Sequence, residues 1–202
     1  MSQTTSAHNE ILQGPILSPL IRFALPLMLS LLLQALYGAV DLAVVGKFSS
    51  TASTAAVATG SQMMQSVTSL ITGLTMGVTI LVGKSVGAGD FQQAGRIVAG
   101  QIKLFSAVAI LLTGLVTVFA PLCCHWMNVP ANALDQTIAY IRICAGGMVF
   151  ITAYNGSTGI FRGLGNSKSP LLFVLIACIV NVFLDLLLVG VFHMDAAGAA
   201  LA

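Results

Sequence analysis

Long apolar runs dominate this chain, and charged residues punctuate them at intervals of about one membrane thickness. A spanning helix needs about 20 mostly apolar residues. Reading from charge to charge predicts spans at about 22–45, 55–83, 96–122, 137–161 and 170–192, with a sixth opening at 196–202 where the sequence stops. Lys103, near the start of the third run, is expected to snorkel toward the interface. The fold class that follows is all-α: a polytopic transmembrane helical bundle of five complete spans plus the start of a sixth. Residues 1–14 form a polar tail, and residues 15–202 form the membrane lobe. The tail lacks the basic region of a secretory signal, so the first span is expected to stay uncleaved.

Loop charges orient the bundle. Arg22, Lys84, Arg96, Lys103, Arg162 and Lys168 fall on one side of an up-down arrangement, and Lys47 and Arg142 on the other. Basic residues favour the cytoplasmic side, so the N-terminus is expected to be cytoplasmic in a multi-pass plasma-membrane protein. An odd number of spans followed by an abrupt apolar ending suggests a piece of something larger.

Composition sharpens the picture. Of the 202 residues, 57% are hydrophobic and 7% charged. A soluble domain carries about 25% charged residues, so lipid is the expected solvent. A net charge of +2 without a basic patch excludes nucleic acid as a partner. Cys123, Cys124, Cys144 and Cys178 form no C-x-x-C pair and read as small buried hydrophobes. No cofactor is implied.

Against this background a few polar residues stand out. In the first span Ser30, Gln34, Tyr37 and Asp41 recur at i, i+4, i+7 and i+11, one helical stripe. In the fifth, Asn181 and Asp185 share a face. The second carries Gln62, Gln65, Ser69 and Thr72 along one side, and the fourth adds Tyr140 and Asn155. Lipid satisfies none of these groups, so they must face partner helices or water. Asp41 lies 19 residues past Arg22, and Asp185 lies 17 past Lys168. At 1.5 Å per residue both climb roughly 25–29 Å, to the same height in the outer half. Tyr140 is also high, five residues past Asp135 on a descending helix. Two acids, an amide and a phenol are thus expected to converge in one outer pocket. The simpler alternatives are carboxylates snorkelling outward, with Lys47 near Asp41, and amides acting as interhelical glue.

Such a pocket has two uses that sequence does not separate. Its acids exchange protons, or Asp41, Asn181 and Asp185 oxygens hold Na⁺. Met28, Met63, Met64 and Met148 offer adaptable apolar contacts, although packing explains each. Pro26 lies inside the first span and is expected to kink it. Close helix contacts are expected at Gly73-x-x-x-Gly77 and Gly83-x-x-x-Gly87. "GAGD", Gly87 to Asp90, matches the G-x-G-D of intramembrane aspartyl proteases, but Asp90 sits in a loop and no second acid shares its level. "GLGNSK" has no preceding strand, so phosphate binding is not expected.

The blocks "GPILSPLIRFALPLMLSLLLQALYGAVDLAVVGKF", "GVTILVGKSVGAGD" and "GIFRGLGNSKSP", in this order and spacing, resemble the multidrug and toxic compound extrusion transporters. The resemblance covers nearly all of the chain after Ile11. It implies two six-helix lobes around a cavity open to one side at a time, with this chain as the amino-terminal lobe and a carboxy-terminal lobe missing. It further implies export of small amphipathic or cationic drugs by antiport against H⁺ or Na⁺, and no enzymatic activity. Asp41 and Asp185, with Asn181 beside them, match the family's amino-lobe cation site. Tyr37, Tyr140 and Asn155 match positions near its cavity, to which the polar stripes add Gln34, Gln62 and Gln65. The competing readings are an inactive fragment, a half that needs a partner half, and, further off, an intramembrane aspartyl protease.

Overall fold

The computed structural model describes residues 17–202, so the expected polar tail at 1–14 lies outside the described residues. Among the described residues all regular structure is helical. The helices are α1 (Leu17–Phe48), α2 (Thr51–Gly87), α3 (Phe91–Trp126), α4 (Leu134–Gly146), α5 (Met148–Gly163), α6 (Lys168–Asp185) and α7 (Asp195–Leu201). A π-helical segment, Leu186–Val191, continues α6.

The first three helices are longer than the apolar runs that announce them. They hold 32, 37 and 36 residues, or roughly 48–56 Å at 1.5 Å per residue, against a hydrocarbon core of about 30 Å. Charges mark where lipid ends, whereas caps mark where helices end. Ser50 caps α2 by accepting a hydrogen bond from the Ser53 N–H at 3.1 Å. Asp90 caps α3 by accepting from the Gln93 N–H at 2.8 Å. Gly89 turns the chain before it with a φ of 76°, in the left-handed region that glycine enters freely. Lys84, Arg96 and Lys103 therefore lie inside helices.

Four helical stretches are long and apolar enough to cross a membrane: α1, α2, α3 and Lys168–Val191. The expected fourth span is not one straight helix. It consists of α4 and α5, bent by 52° at Gly147, and counts as a fifth crossing only if the pair is taken together. Adjacent Gly146 and Gly147 weaken the helix there. The Gly147 N–H is shared between the carbonyls of Ile143 and Cys144, at 3.3 and 3.1 Å. From α3, the Thr113 hydroxyl donates to the Ala145 carbonyl at 3.1 Å, serving the last turn of α4. The fifth expected span also changes character: its last turns, after Asp185, are π-helical.

Packing divides the lobe. The α2 helix packs most heavily on α5, and α1 on α6. The main core joins Ala56, Val57 and Ile71 of α2 to Ala120 and Cys124 of α3, Ile141 and Ala145 of α4 and Met148 of α5. Of the glycines expected to mediate close contact, only Gly83 does so. Gly73, Gly77 and Gly87 have nothing within 4 Å of where a Cβ would stand, and Gly83 meets only the backbone of Gly163. The buried face of α2 runs through Gly60, Met64, Ile71, Thr75 and Val82, and Gly73 and Gly77 point away from it. The close approach comes instead from α5. A Cβ on Gly163 would stand 2.8 Å from the Thr79 carbonyl oxygen, and one on Gly156 would stand 3.1 Å from the Phe105 ring. Gly159 is seated against Thr75 and Thr79, and its carbonyl accepts the Thr79 hydroxyl at 3.0 Å.

Candidate functional site

The polar stripe of α1 faces inward along part of its length. Ser30 is fully buried, and its hydroxyl donates to the Pro26 carbonyl at 2.8 Å. The helix runs unbroken through Pro26. Gln34 and Tyr37 are half-buried. Asp41 is 9% exposed, and Asp185, across the α1–α6 contact, is 0% exposed. Neither acid lies at a solvated rim, and among the described residues Asp41 makes no ion pair with Lys47.

The two carboxyl groups are neighbours across the α1–α6 contact. Ionised carboxylates only accept. Accordingly Asp41 Oδ1, both oxygens of Asp185 and Asn181 Oδ1 are buried without a hydrogen-bond partner among the described residues. Buried polar atoms are nearly always satisfied, and like charges brought together out of water resist joint ionisation. Water, a proton or a cation satisfies oxygens of this kind. Their donors are hard oxygens, the type that suits H⁺ or Na⁺ rather than soft metals. Among the described residues no three His, Cys, Asp or Glu side chains come together.

Two phenols complete the wall. Tyr140, buried in the middle of α4, lies near Cys144, Asp41 and Tyr37. Tyr37 lies near Asp41, Tyr154 and Cys178. Asp41, Asp185 and Tyr140, which depth arithmetic puts at one level, are thus near one another, and Tyr37 joins them from the stripe of α1. The remaining polar residues go elsewhere. Asn155 ties α5 to α2: its Nδ2 donates to the Ile151 carbonyl at 2.8 Å, and its Oδ1 accepts from Thr72 at 3.4 Å. Gln62 and Gln65 are exposed on the side of α2 opposite the core. A shallow hollow lined by Leu17, Ser18, Ile21 and Arg22 lies at the far end of α1 from Asp41.

Sequence reasoning missed a column on α5. Tyr154, Thr158 and Arg162 are spaced i, i+4 and i+8, and Tyr154 has both of the others as neighbours. The Thr158 hydroxyl oxygen and Arg162 Nε are buried without a hydrogen-bond partner among the described residues. The same spacing rule that exposes Asp41 would have found this stripe. Asp90, the acid of the protease-like motif, is occupied as the cap of α3. In "GLGNSK", Asn166 Oδ1 accepts from the N–H groups of Lys168 and Ser169, each at 3.1 Å, so that motif builds a turn.

The MatE family model matches residues 26–187. A probable multidrug resistance protein YpnP of Bacillus subtilis (strain 168) is 29% identical over 195 residues, which are 93% of this chain and 42% of that protein. A probable multidrug resistance protein NorM of Thermotoga maritima is 25% identical over 187 residues, 91% of this chain and 40% of that one. Among solved structures, a MATE in the bent conformation superposes with a TM-score of 0.89 at 22% identity, covering 99% of this chain and 44% of its own. A MATE in the straight conformation gives 0.82 at 24% identity, covering 89% and 40%. The chain spans about two-fifths of the length of the relatives it matches.

Proposed function

Because this chain belongs to the MatE family, we propose that it is the amino-terminal lobe of a cation-coupled exporter of amphipathic or cationic compounds. The observation that carries this reading is the buried Asp41–Asp185 pair, in which Asp41 Oδ1 and both oxygens of Asp185 lack partners among the described residues. Asn181 supplies a third ligand, and Tyr37 and Tyr140 border the site. The coupling ion is H⁺ or Na⁺, and it is cargo: it enters from the outside, neutralises the pair and leaves toward the cytoplasm. Loop charges support a cytoplasmic N-terminus in the plasma membrane.

The second lobe follows from the outer face of α2. Gln62, Gln65, Ser66, Ser69 and Thr72 are all exposed there, at membrane depth. Ser66, Ser69 and Thr72 satisfy their hydroxyls on carbonyls four residues back. The two amides have no such recourse, and lipid gives them nothing. They fit a water-filled cavity closed on its far side by a carboxy-terminal lobe, with Gln34 at its α1 wall. Relatives whose length is only about 40% covered support the same division. In this reading the chain exports nothing alone and works with its partner lobe.

Binding a cation to the pair changes the charge at the α1–α6 seam. Ion binding shifts the equilibrium between inward- and outward-open states only by its unequal affinity for them. One proton moving down about 100 mV and one pH unit releases about 2.3 + 1.4 kcal/mol, enough to hold roughly a 500-fold gradient of neutral drug. The test uses a two-lobe transporter that includes this chain, in proteoliposomes with Na⁺ and pH gradients imposed separately. Asp41→Asn and Asp185→Asn are each expected to bring ion-driven drug efflux to background while membrane insertion is retained. Unchanged efflux in both variants would remove the acids from the mechanism.

A further inference from the structure

Gly60 lies inside α2 among the buried residues Ala56, Val57 and Met64. On helix propensity alone alanine would be better there by about 1 kcal/mol. The space a methyl needs is taken by the Tyr140 ring. A Cβ on Gly60 would overlap ring atom Cδ1 and stand 3.0 Å from Cε1 and 3.1 Å from Cγ. Tyr140 is 6% exposed, so the ring has little room to retreat. Its phenol has Cys144 as its nearest polar partner and lies within electrostatic reach of Asp41 and Tyr37. On α3, by contrast, Gly95, Gly100 and Gly114 have nothing within 4 Å of where a methyl would stand.

We propose that Gly60 is a positioning residue for the acid pair: its bare Cα seats the Tyr140 ring against α2 and so fixes the phenol hydroxyl beside Asp41. The inference rests on the reading of Asp41 and Asp185 as a cation site. A phenol held there donates to a carboxylate while the pair is ionised, and offers an oxygen to a bound cation. A methyl group at position 60 pushes the ring off its seat and carries the hydroxyl with it. The acids, on α1 and α6, stay where they are.

The test uses the chain in lipid nanodiscs. Na⁺ binding is titrated by calorimetry, and proton binding is followed through the carboxylic-acid C=O infrared band. Gly60→Ala is expected to weaken affinity for whichever ion binds by about tenfold, the size of one lost hydrogen bond to a charged group. Tyr140→Phe, which keeps the ring, loses the same amount. In the Tyr140→Phe background Gly60→Ala adds no further loss, because the hydroxyl it would misplace is already gone. Gly100→Ala, in open space, leaves affinity unchanged. Additive losses at positions 60 and 140 would overturn the proposal, as would full affinity in Gly60→Ala. Should Gly60→Ala fail to insert, the pair Gly60→Ala and Tyr140→Leu, which removes the obstructing ring, is expected to insert; its failure would overturn the seat as well. A wild-type chain that binds neither ion would instead overturn the cation-site reading beneath it.

Discussion

Where α2 meets α5, glycines bring the backbones into contact and the buried hydroxyls are spent on carbonyls. Thr75 donates to Ile71 at 2.8 Å, and Thr79 reaches both Thr75 and Gly159 at 3.0 Å. Where α1 meets α6, the contact is just as intimate but encloses carboxyl and amide oxygens with nothing to bond. The first seam is finished by the protein alone. The second leaves oxygens for a ligand, a proton or water to meet, as the proposed cation site requires. Satisfied polar groups hold a structure still, and orphaned ones mark where a ligand or proton stabilises one state over another.

The largest effects should separate these seams. Asp185→Asn keeps the shape and removes the charge. Efflux in the two-lobe transporter falls to background, while unfolding of the lobe in detergent is unchanged or slightly harder, since an unpaired buried carboxylate is costly. Gly159→Leu does the reverse. Its side chain collides with Thr75 and Thr79, and overpacking of this kind costs about 1–3 kcal/mol. Thermal unfolding of the lobe should shift accordingly, while any population that folds still binds the ion. If Asp185→Asn unfolded the lobe, or Gly159→Leu left its stability intact, the contrast between the seams would collapse.

How much of this was legible in the residues follows from the same contrast. In a membrane, rise per residue converts sequence position into depth, so a shared level for Asp41, Asp185 and Tyr140 could be expected by counting. Direction around a helix axis was legible only where one face was polar. It was not legible for the glycines of α2, because a G-x-x-x-G pair names two positions on one face without saying which face packs. Gly159 and Gly163 mediate contact because Thr75, Thr79 and Val82 lie opposite them, and Gly156 because Gln101 and Phe105 do, a fact of tertiary structure. The break at Gly147 and the π-helical turns after Asp185 were hidden for another reason. Apolar composition continues through both, and hydropathy records the solvent rather than the hydrogen-bond ladder.

The outer face of α2 offers a middle-sized test. If Gln62 and Gln65 line a cavity, replacing both by leucine leaves insertion intact and weakens drug binding by roughly fivefold for each hydrogen bond lost, at ~1 kcal/mol. Dye efflux against concentration in the two-lobe transporter reads this as a raised half-saturation. Unaltered efflux would mean that the amides serve neither drug nor water, and the second lobe would lose its best support in this chain.

The smallest expected effect is the most discriminating, because it repeats one chemical change in two places. Asp90 caps α3 with a side-chain oxygen that accepts from the Gln93 N–H. Asparagine caps a helix about as well as aspartate, and alanine loses about 1 kcal/mol. Asp90→Asn should therefore be silent in both stability and transport, and Asp90→Ala should cost about 1 kcal/mol of stability, read from unfolding in detergent, with ion binding untouched. A protease acid would tolerate neither change. At Asp185 the same Asp→Asn exchange should preserve the fold and end coupling, because the proposed site requires a negative charge that a proton or cation neutralises, and an amide carries none. Equal consequences at the two positions, whether both silent or both severe, would show that exposure and burial do not divide the acids of this lobe into caps and ion ligands.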